Sequence, residues 1–257
     1  MKRAKTRGVV SLILLALCLS CNVGGRTGEA GVSNDPALSG RCAEALGALA
    51  RSYGATPSVE GDRLRLGQDE LRLSATIEQA APAPAGAQAG YVAGIAVAVA
   101  VNGVAQPLTT GSVGIGADRE DALKTAVSEW AQLSGVGLLG ALGVRKKDGF
   151  TAELGRFSVN TGMTGFRGAQ QVPWSEERQS ELFEKLKGPF GELERSPSEF
   201  HSAWLMVLVA ADGSTEGECR VDGKVSPELL KAAQTFSWPR TSTPYMFKQF
   251  YVLRRVK

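Results

Sequence analysis

A valine-rich apolar run that ends at a two-residue turn signal constrains the fold more than any other part of this chain. Residues Tyr91–Val101 are apolar at nearly every position, which is typical of a strand buried on both faces. Asn102-Gly103 follows directly, and these residue types favour the positive φ angles that a type I′ hairpin turn needs. The sequence therefore predicts an antiparallel strand pair, with a return strand from Val104 to about Ile115.

A second regularity is that a strand pair is followed by a helix. Asp118 is placed to cap a helix that runs to about Leu133, whose apolar residues recur at helical spacing. The same order returns over 204–236. We therefore predict an α+β fold with antiparallel β hairpins, three to four helices packed on the sheet, and a ββα unit that could be duplicated. The other predicted elements are a helix over Arg41–Tyr53, strands over Val59–Leu66 and Glu70–Gln79, a strand pair over Phe150–Asn160 and Met163–Arg167, a helix from Ser175 to Lys187, a helix start at Ser196-Pro197, strands over Trp204–Ala210 and Glu216–Val221, a helix from Ser226 to Phe236, and a strand over Phe247–Val256.

The formal net charge of +3 comes from the first residues of the chain. Lys2, Arg3, Lys5 and Arg7 have no acidic residue among them, and they precede the apolar stretch Val9–Leu19. Removal of this segment would leave one more acidic than basic residue, so a nonspecific electrostatic attraction to nucleic acid has no support. A chain with 43% hydrophobic and 21% charged residues is also not a disordered one.

The basic start, the apolar stretch and the small residue Ser20 are typical of a bacterial export signal. The segment Cys18-Leu19-Ser20-Cys21 resembles the lipobox of bacterial lipoproteins, although Cys18 stands where that family usually has leucine. The resemblance implies cleavage between Ser20 and Cys21, acylation of Cys21 (palmitate included), and a lipid anchor in the membrane of the cell envelope. Asn22 implies sorting to the outer membrane, at its periplasmic face. The alternative is an ordinary signal peptide with incidental cysteines.

Three regions are therefore expected along the chain. Residues 1–20 would be the lipoprotein signal peptide, and residues 21–40, rich in Gly, Ser and Asn, a flexible tether. Residues 41–257 would form the α+β globular domain, as one unit or as two packed halves at about 41–143 and 150–257.

Two cysteines would remain as thiols after export and acylation. Cys42 and Cys219 are an even pair in an oxidising compartment, which indicates a disulfide between the first helix and a late strand. The alternative is two separate buried thiols. Once Cys18 is removed with the signal peptide and Cys21 is acylated, no CxxC or Cys/His cluster would remain, so we expect no metal site and no cofactor.

The single histidine, His201, is the one candidate for acid–base chemistry near neutral pH. Ser198, Ser202 and Asp212 are near it in sequence and could complete a Ser-His-Asp arrangement, but there is no GxSxG nucleophile motif. His201 stands at the start of an apolar strand, where a structural role is favoured. We assign no catalytic residue.

A glycine series precedes the helix that begins after Asp118. Gly111, Gly114 and Gly116 could let the helix N-terminus hold an anion, or could serve a tight strand-to-helix connection. Asp118 and the acidic residues that follow it would repel phosphate, so the tight connection is favoured. Other acidic residues are interpreted as solvated faces, namely Glu176, Glu177, Glu181 and Glu184 on one helix and Glu216 and Glu218 on one strand.

Three segments carry a resemblance to a known family. Gly114 through Trp130, the stretch GECRVDGKVSPELL and the ending WPRTSTPYMFKQFYVLRR are similar to an uncharacterised bacterial family, catalogued as a domain of unknown function. The resemblance spans most of residues 41–257. It implies a shared fold and transfers no catalytic residue.

These observations favour a membrane-anchored lipoprotein that acts as a noncatalytic binding or interaction module in the cell envelope. An envelope protein is the expected partner, and nucleic acid is not. Two alternatives stay open: an envelope hydrolase with dispersed catalytic residues, and a protein that neutralises a toxin in the manner of an immunity protein.

Overall fold

The computed structural model of the protein describes residues 34–82, 90–145, 150–168 and 171–256. Within these ranges the chain folds into two antiparallel sheets with helices packed on both, so the predicted α+β class is confirmed. The predicted signal peptide and most of the predicted tether, Ser20 and Cys21 included, lie outside the described residues. None of the described helices is long and apolar enough to span a membrane.

The first sheet has five strands in chain order. They are β1 (Ser58–Glu60), β2 (Arg63–Leu66), β3 (Asp69–Pro82), β4 (Tyr91–Val101) and β5 (Val104–Gly116). The turn at Asn102-Gly103 joins β4 to β5 with φ angles of 51° and 78°, as the turn signal predicted. The Asn102 side chain accepts a hydrogen bond from the Glu70 backbone N–H at 2.8 Å, which ties the turn to β3.

The second sheet has the last strand of the chain near its centre. Its strands are β6 (Thr151–Leu154), β7 (Phe157–Thr161), β8 (Gly165–Arg167), β9 (Phe200–Val209), β10 (Thr215–Val221), β11 (Lys224–Val225) and β12 (Tyr245–Arg255). Their order is β11-β10-β9-β12-β7-β6, and β8 also pairs with β12. The strand predicted over 150–160 is instead the hairpin β6–β7, because Gly155 turns the chain with φ 52°. The segment predicted to pair with it, β8, pairs with β12.

Four of the five described α-helices begin at a residue whose side chain caps them. They are α1 (Pro36–Ser52), α2 (Arg119–Trp130), α3 (Val136–Ala141), α4 (Glu176–Gly191) and α5 (Pro227–Gln234). A π-helical turn, Ala131–Gly135, joins α2 to α3 without a break. Asp118, Ser175 and Ser226 each accept a hydrogen bond from a backbone N–H in the first turn of the helix that follows.

The start of α1 corrects the predicted boundary between tether and domain. Asp35 accepts a hydrogen bond from the Leu38 backbone N–H at 3.0 Å, and Pro36 takes the first helical position. Leu38 and Ser39 are buried, and the Ser39 hydroxyl accepts a hydrogen bond from the Ala75 backbone N–H in β3. The predicted tether over 21–40 therefore ends before Asp35, because residues 36–40 already belong to the packed domain.

Two hydrophobic clusters hold the fold together. The first joins α1, α2 and α3 to the first sheet and also includes Phe250 and Val252 of β12. The second packs α4 and α5 on the other face of the second sheet, where Tyr251 and Leu253 of β12 point. Because alternate residues of β12 enter different clusters, this strand connects the two halves of the chain.

Candidate functional site

A cleft of about 370 Å³ lies where the end of α3 meets the last residues of β12. A volume of this size is within the range of roughly 300–1,000 Å³ that small-ligand sites occupy. Both halves of the chain contribute to its walls. We call it the arginine cleft, and its lining residues are Gly140, Ala141, Leu142, Gly143, Arg145, Ser158, Glu199, Arg254, Arg255 and Val256.

Arg254 is held in place by groups from both halves of the chain. Its guanidinium is 3.1 Å from a Glu199 carboxylate oxygen and 3.4 Å from an Asp69 carboxylate oxygen. It also donates to the Ala141 carbonyl oxygen at 3.2 Å, which satisfies one of the unpaired carbonyls at the end of α3. The same guanidinium lies over the Phe200 ring, 5.1 Å from its centre. Arg254 is therefore a fixed connection between the two sheets.

Arg255 is anchored by neutral groups instead of carboxylates. It donates to the backbone carbonyls of Glu194 and Ser196, and its guanidinium lies 5.2 Å from the centre of the Phe157 ring. Its Nε atom is buried and has no hydrogen-bond partner among the described residues. No carboxylate lies within ion-pairing distance of Arg255 in the described chain, so its positive charge is not neutralised by a neighbour.

Ser158 supplies a hydroxyl to the wall of the arginine cleft. The Asn160 side-chain NH₂ donates to the Ser158 oxygen at 3.3 Å. Asn160 is 1% exposed, and its carbonyl oxygen faces Gly140, where an added Cβ would lie only 3.0 Å from it. Because Asn160 donates to the Ser158 oxygen, the hydroxyl proton of Ser158 is available to an acceptor in the cleft.

Arg145 differs from the other two arginines in its freedom. Its side chain is exposed and makes no hydrogen bond or ion pair with any residue that the structure describes. Among the lining residues, Arg145, Arg254 and Arg255 are positive and only Glu199 is negative. The arginine cleft therefore carries a net positive charge, even after Asp69, which pairs with Arg254, is counted.

A second cleft is smaller and simpler. Its volume is about 250 Å³, and it is lined by Arg41, Glu120, Lys124 and Val127 of α1 and α2. An ion pair between Arg41 and Glu120 connects its two walls, and both side chains are about half exposed or more. Its lining comes from two helices of one half of the chain only, and Arg41 is already paired with Glu120. We therefore regard the larger arginine cleft, with walls from both halves of the chain, as the better candidate for a binding site.

The histidine lies away from both clefts. His201 is 1% exposed, and its Nδ1 atom is 2.7 Å from a carboxylate oxygen of Asp222. The other Asp222 oxygen accepts from the Ser202 backbone N–H, and the Ser202 hydroxyl donates to the Pro107 carbonyl. Asp212 and Ser202 therefore form no Ser-His-Asp arrangement with His201, because Asp222 is the acid beside the ring and the Ser202 hydroxyl is directed to the first sheet. The His201 Nε2 atom is buried without a partner among the described residues. The burial of the ring favours the structural role expected for His201.

The glycine series confirms a tight strand-to-helix connection. A Cβ on Gly114 would lie 2.0 Å from the Ala122 carbonyl oxygen, and one on Gly116 would lie 2.4 Å from the Ala122 backbone nitrogen. The side chain of Asp121 accepts from the Ala117 backbone N–H at 3.0 Å, so a carboxylate already occupies the start of α2. These contacts favour the packing interpretation over an anion site at this helix.

The two cysteines are free thiols, so the predicted disulfide is wrong. Cys42 belongs to the first hydrophobic cluster and Cys219 to the second, and both are fully buried. Burial raises the pKa of each thiol to about 12. The sequence could not predict this separation. No local signal shows that α1 packs on the first sheet while β10 is a strand of the second.

The other acidic residues that the sequence analysis named lie at the surface or in a partly exposed ion pair. The four glutamates of α4 that the sequence singled out are exposed, as is Glu216, while Glu218 forms an ion pair with Arg220 at 2.5 Å. Within the described residues no group of three His, Cys, Asp or Glu side chains could hold a metal ion. The sequence did not single out Arg145, Ser158, Arg254 or Arg255, since nothing local distinguishes them from ordinary surface residues.

Comparison with known proteins identifies a family. A model described as a family of unknown function (DUF6348) matches residues 60–255, and the chain belongs to that family. The expected resemblance to an uncharacterised domain family is confirmed. No curated protein and no solved structure matches the chain.

Proposed function

We propose that this member of the DUF6348 family is a lipid-anchored, noncatalytic binding module of the bacterial cell envelope, and that the arginine cleft is its ligand site. The observation that carries the proposal is the cleft itself, which has two arginines fixed by the fold and a third that is free to move. Fixed donors lose little conformational entropy when a ligand binds. A ligand would therefore bind to side chains that the fold already holds in position.

A noncatalytic role is supported by the position of the histidine. His201 is buried in the core with Asp222 and has no access to either cleft. The lining of the arginine cleft contains arginines, one serine and one glutamate as its polar side chains. Positioned hydrogen-bond donors of this kind bind a ligand, whereas general acid–base catalysis needs a group that titrates near neutral pH.

The lipid anchor is supported by the sequence of residues 1–21 alone. The proposal assigns Cys21 as the acylated residue and Ser20 as the last residue of the signal peptide, with the outer membrane, at its periplasmic face, as the destination. Acyl chains contribute about 0.8 kcal/mol for each methylene buried in the bilayer, so a multiply acylated cysteine gives stable attachment.

Metabolic labelling tests the anchor. Cells that express the full chain are grown with radiolabelled palmitate, with and without globomycin, beside the Cys21→Ala variant. The proposal predicts label on the parent protein, no label on Cys21→Ala, and accumulation of the unprocessed precursor under globomycin. An unlabelled parent protein would show that the anchor is wrong.

Crosslinking in intact envelopes tests the binding role. The parent chain is compared with Cys21→Ala, with the cleft variant Arg145→Glu, and with Arg51→Glu as a matched exposed arginine elsewhere in the fold. We expect one specific envelope partner, recovered with the parent and Arg51→Glu but not with Arg145→Glu. Hydrolase activity in the absence of any partner would contradict the proposal.

A further inference from the structure

We infer that the arginine cleft recognises an oxyanion, a phosphate or carboxylate group carried by its ligand. This inference rests on the proposed function, because it takes the cleft to be the ligand site. It adds the chemical class of the group that is bound and the residues that bind it.

Two donors and one further positive charge lie at the cleft. Ser158 has a hydroxyl proton to donate, since its oxygen already accepts from Asn160, and Arg145 has a guanidinium with no partner among the described residues. The Arg255 guanidinium lies on the opposite face of β12, where neutral carbonyls and the Phe157 ring hold it, so it adds positive charge at the edge of the cleft and is not a direct donor. Guanidinium groups bind phosphate and carboxylate oxygens through paired, charge-assisted hydrogen bonds. An oxyanion is the ligand group that can accept from Ser158 and Arg145 together.

The single acidic residue of the cleft does not oppose this assignment. The Glu199 carboxylate is 3.1 Å from the Arg254 guanidinium, so its charge is already paired. Asp69 pairs with the same guanidinium from the other side. The charges left over are those of Arg145 and Arg255, and both are positive. An anion entering the cleft therefore meets a net attraction.

Arg145 completes the site as its mobile member. It is exposed, and it gives up no hydrogen bond or ion pair within the described chain when it turns toward a ligand. The cleft volume of about 370 Å³ is also much larger than one water, whose share of liquid volume is about 30 Å³. The bound oxyanion is therefore one group of a larger ligand, which can be soluble or a lipid headgroup.

Titration of the full-length chain in detergent with inorganic phosphate, followed by calorimetry, tests the inference. Arg145→Gln should weaken phosphate binding about tenfold, as expected for a lost charge-assisted hydrogen bond. Arg145→Lys should retain most of the affinity, and Arg51→Gln should bind as the parent does. The affinity should fall as salt is raised. Because Arg145 has no hydrogen-bond or ion-pair partner among the described residues, its variants should fold normally, and thermal denaturation verifies this.

A second experiment distinguishes whether the oxyanion belongs to a lipid headgroup or to a soluble ligand. The chain is mixed with vesicles of phosphatidylcholine that contain or lack phosphatidylglycerol. Binding to the anionic vesicles that Arg145→Gln weakens supports the inference with a headgroup as the source, and phosphate binding without vesicle binding supports it with a soluble source. Absence of both, or equal binding by the parent and Arg145→Gln, overturns it. If an envelope partner is still captured through Arg145, the proposed function survives while the oxyanion inference fails.

Discussion

The close contact between β5 and α2 gives a sharp prediction for Gly114→Ala. The new Cβ would lie 2.0 Å from the Ala122 carbonyl oxygen and 2.2 Å from the Ala126 backbone nitrogen. Carbon and oxygen atoms do not approach closer than about 3 Å, so α2 would have to move by about 1 Å. Overpacking costs roughly 1–3 kcal/mol, and more when backbone obstructs, so we expect a loss of about 3 kcal/mol or more.

The expected loss of stability is large because α2 is tightly packed on the first sheet. The helix buries five side chains, and the Trp130 ring N–H donates to the Thr110 hydroxyl of β5 at 2.6 Å. For a domain of this size about 3 kcal/mol corresponds to a fall in Tm of roughly 6–12 °C. Thermal denaturation followed by circular dichroism measures it. Gly191→Ala is the control, because nothing lies near its Cβ position and φ is −61°, so its Tm should be unchanged or higher. A Gly114→Ala protein with the parent Tm would refute the packing argument.

Three further predictions concern buried or paired groups. Cys42 and Cys219, whose pKa values burial raises to about 12, should resist iodoacetamide at neutral pH in the folded protein and react in denaturant, as peptide mass spectrometry can measure. Arg254→Met should lower the free energy of unfolding by about 2 kcal/mol. This is less than the roughly 3–5 kcal/mol lost when a fully buried ion pair is broken, because Arg254 and Glu199 are partly exposed. A double-mutant cycle with Glu199→Gln, measured by urea denaturation, should show coupling between the two residues. Desolvation raises the pKa of Glu78 to about 7 against the opposing effect of the Arg220 guanidinium, and because much of the residue is exposed to solvent the resulting pH effect should be small. The folded state then holds a proton that the unfolded chain, with a carboxyl pKa of 4.5, releases, so stability should fall as pH rises from about 4.5 to 7, and Glu78→Gln should flatten this slope in pH-dependent denaturation.

Local signals in the sequence predicted much of the fold. The turn at Asn102-Gly103 needs positive φ angles that few residues adopt, so it identified the β4–β5 hairpin without knowledge of the rest of the chain. Asp118, Ser175 and Ser226 identified helix starts in the same way, because a side-chain cap acts within one turn. These features depend on neighbouring residues only.

Other predictions were wrong where contacts between distant parts of the chain determine the local structure. Ser196-Pro197 has the spacing of a helix start, but Phe200 begins β9, and the nearby Glu199 side chain pairs with Arg254 of β12 instead of capping a helix. Long-range pairing of β9 with β12 outweighs the local preference. The structural role favoured for His201 left its partner unassigned, and the β9–β10 hairpin is what brings Asp222 to it.

The candidate site could not be predicted because its parts are distant in sequence. Arg254 and Arg255 are adjacent residues at the end of a strand, and alternation places them on opposite faces. Both reach the arginine cleft only because β12 ends there, beside α3 and β7. Arg145 carries no pattern that separates it from other surface arginines. The lipid anchor is proposed from neighbouring residues of the sequence, whereas the cleft is formed only by the folded chain.

Site-specific photo-crosslinking in living cells tests the central claim, that the arginine cleft is the binding site of an envelope module, most directly. A photoreactive amino acid replaces Val256, an exposed residue of the cleft lining, in one protein and Arg51 in another, so that Arg145 stays in place, and both are irradiated in intact cells. We predict a discrete crosslinked product from position 256 that position 51 does not give. Crosslinks from position 51 alone, or none from position 256 in a protein that reaches the envelope, would contradict the account.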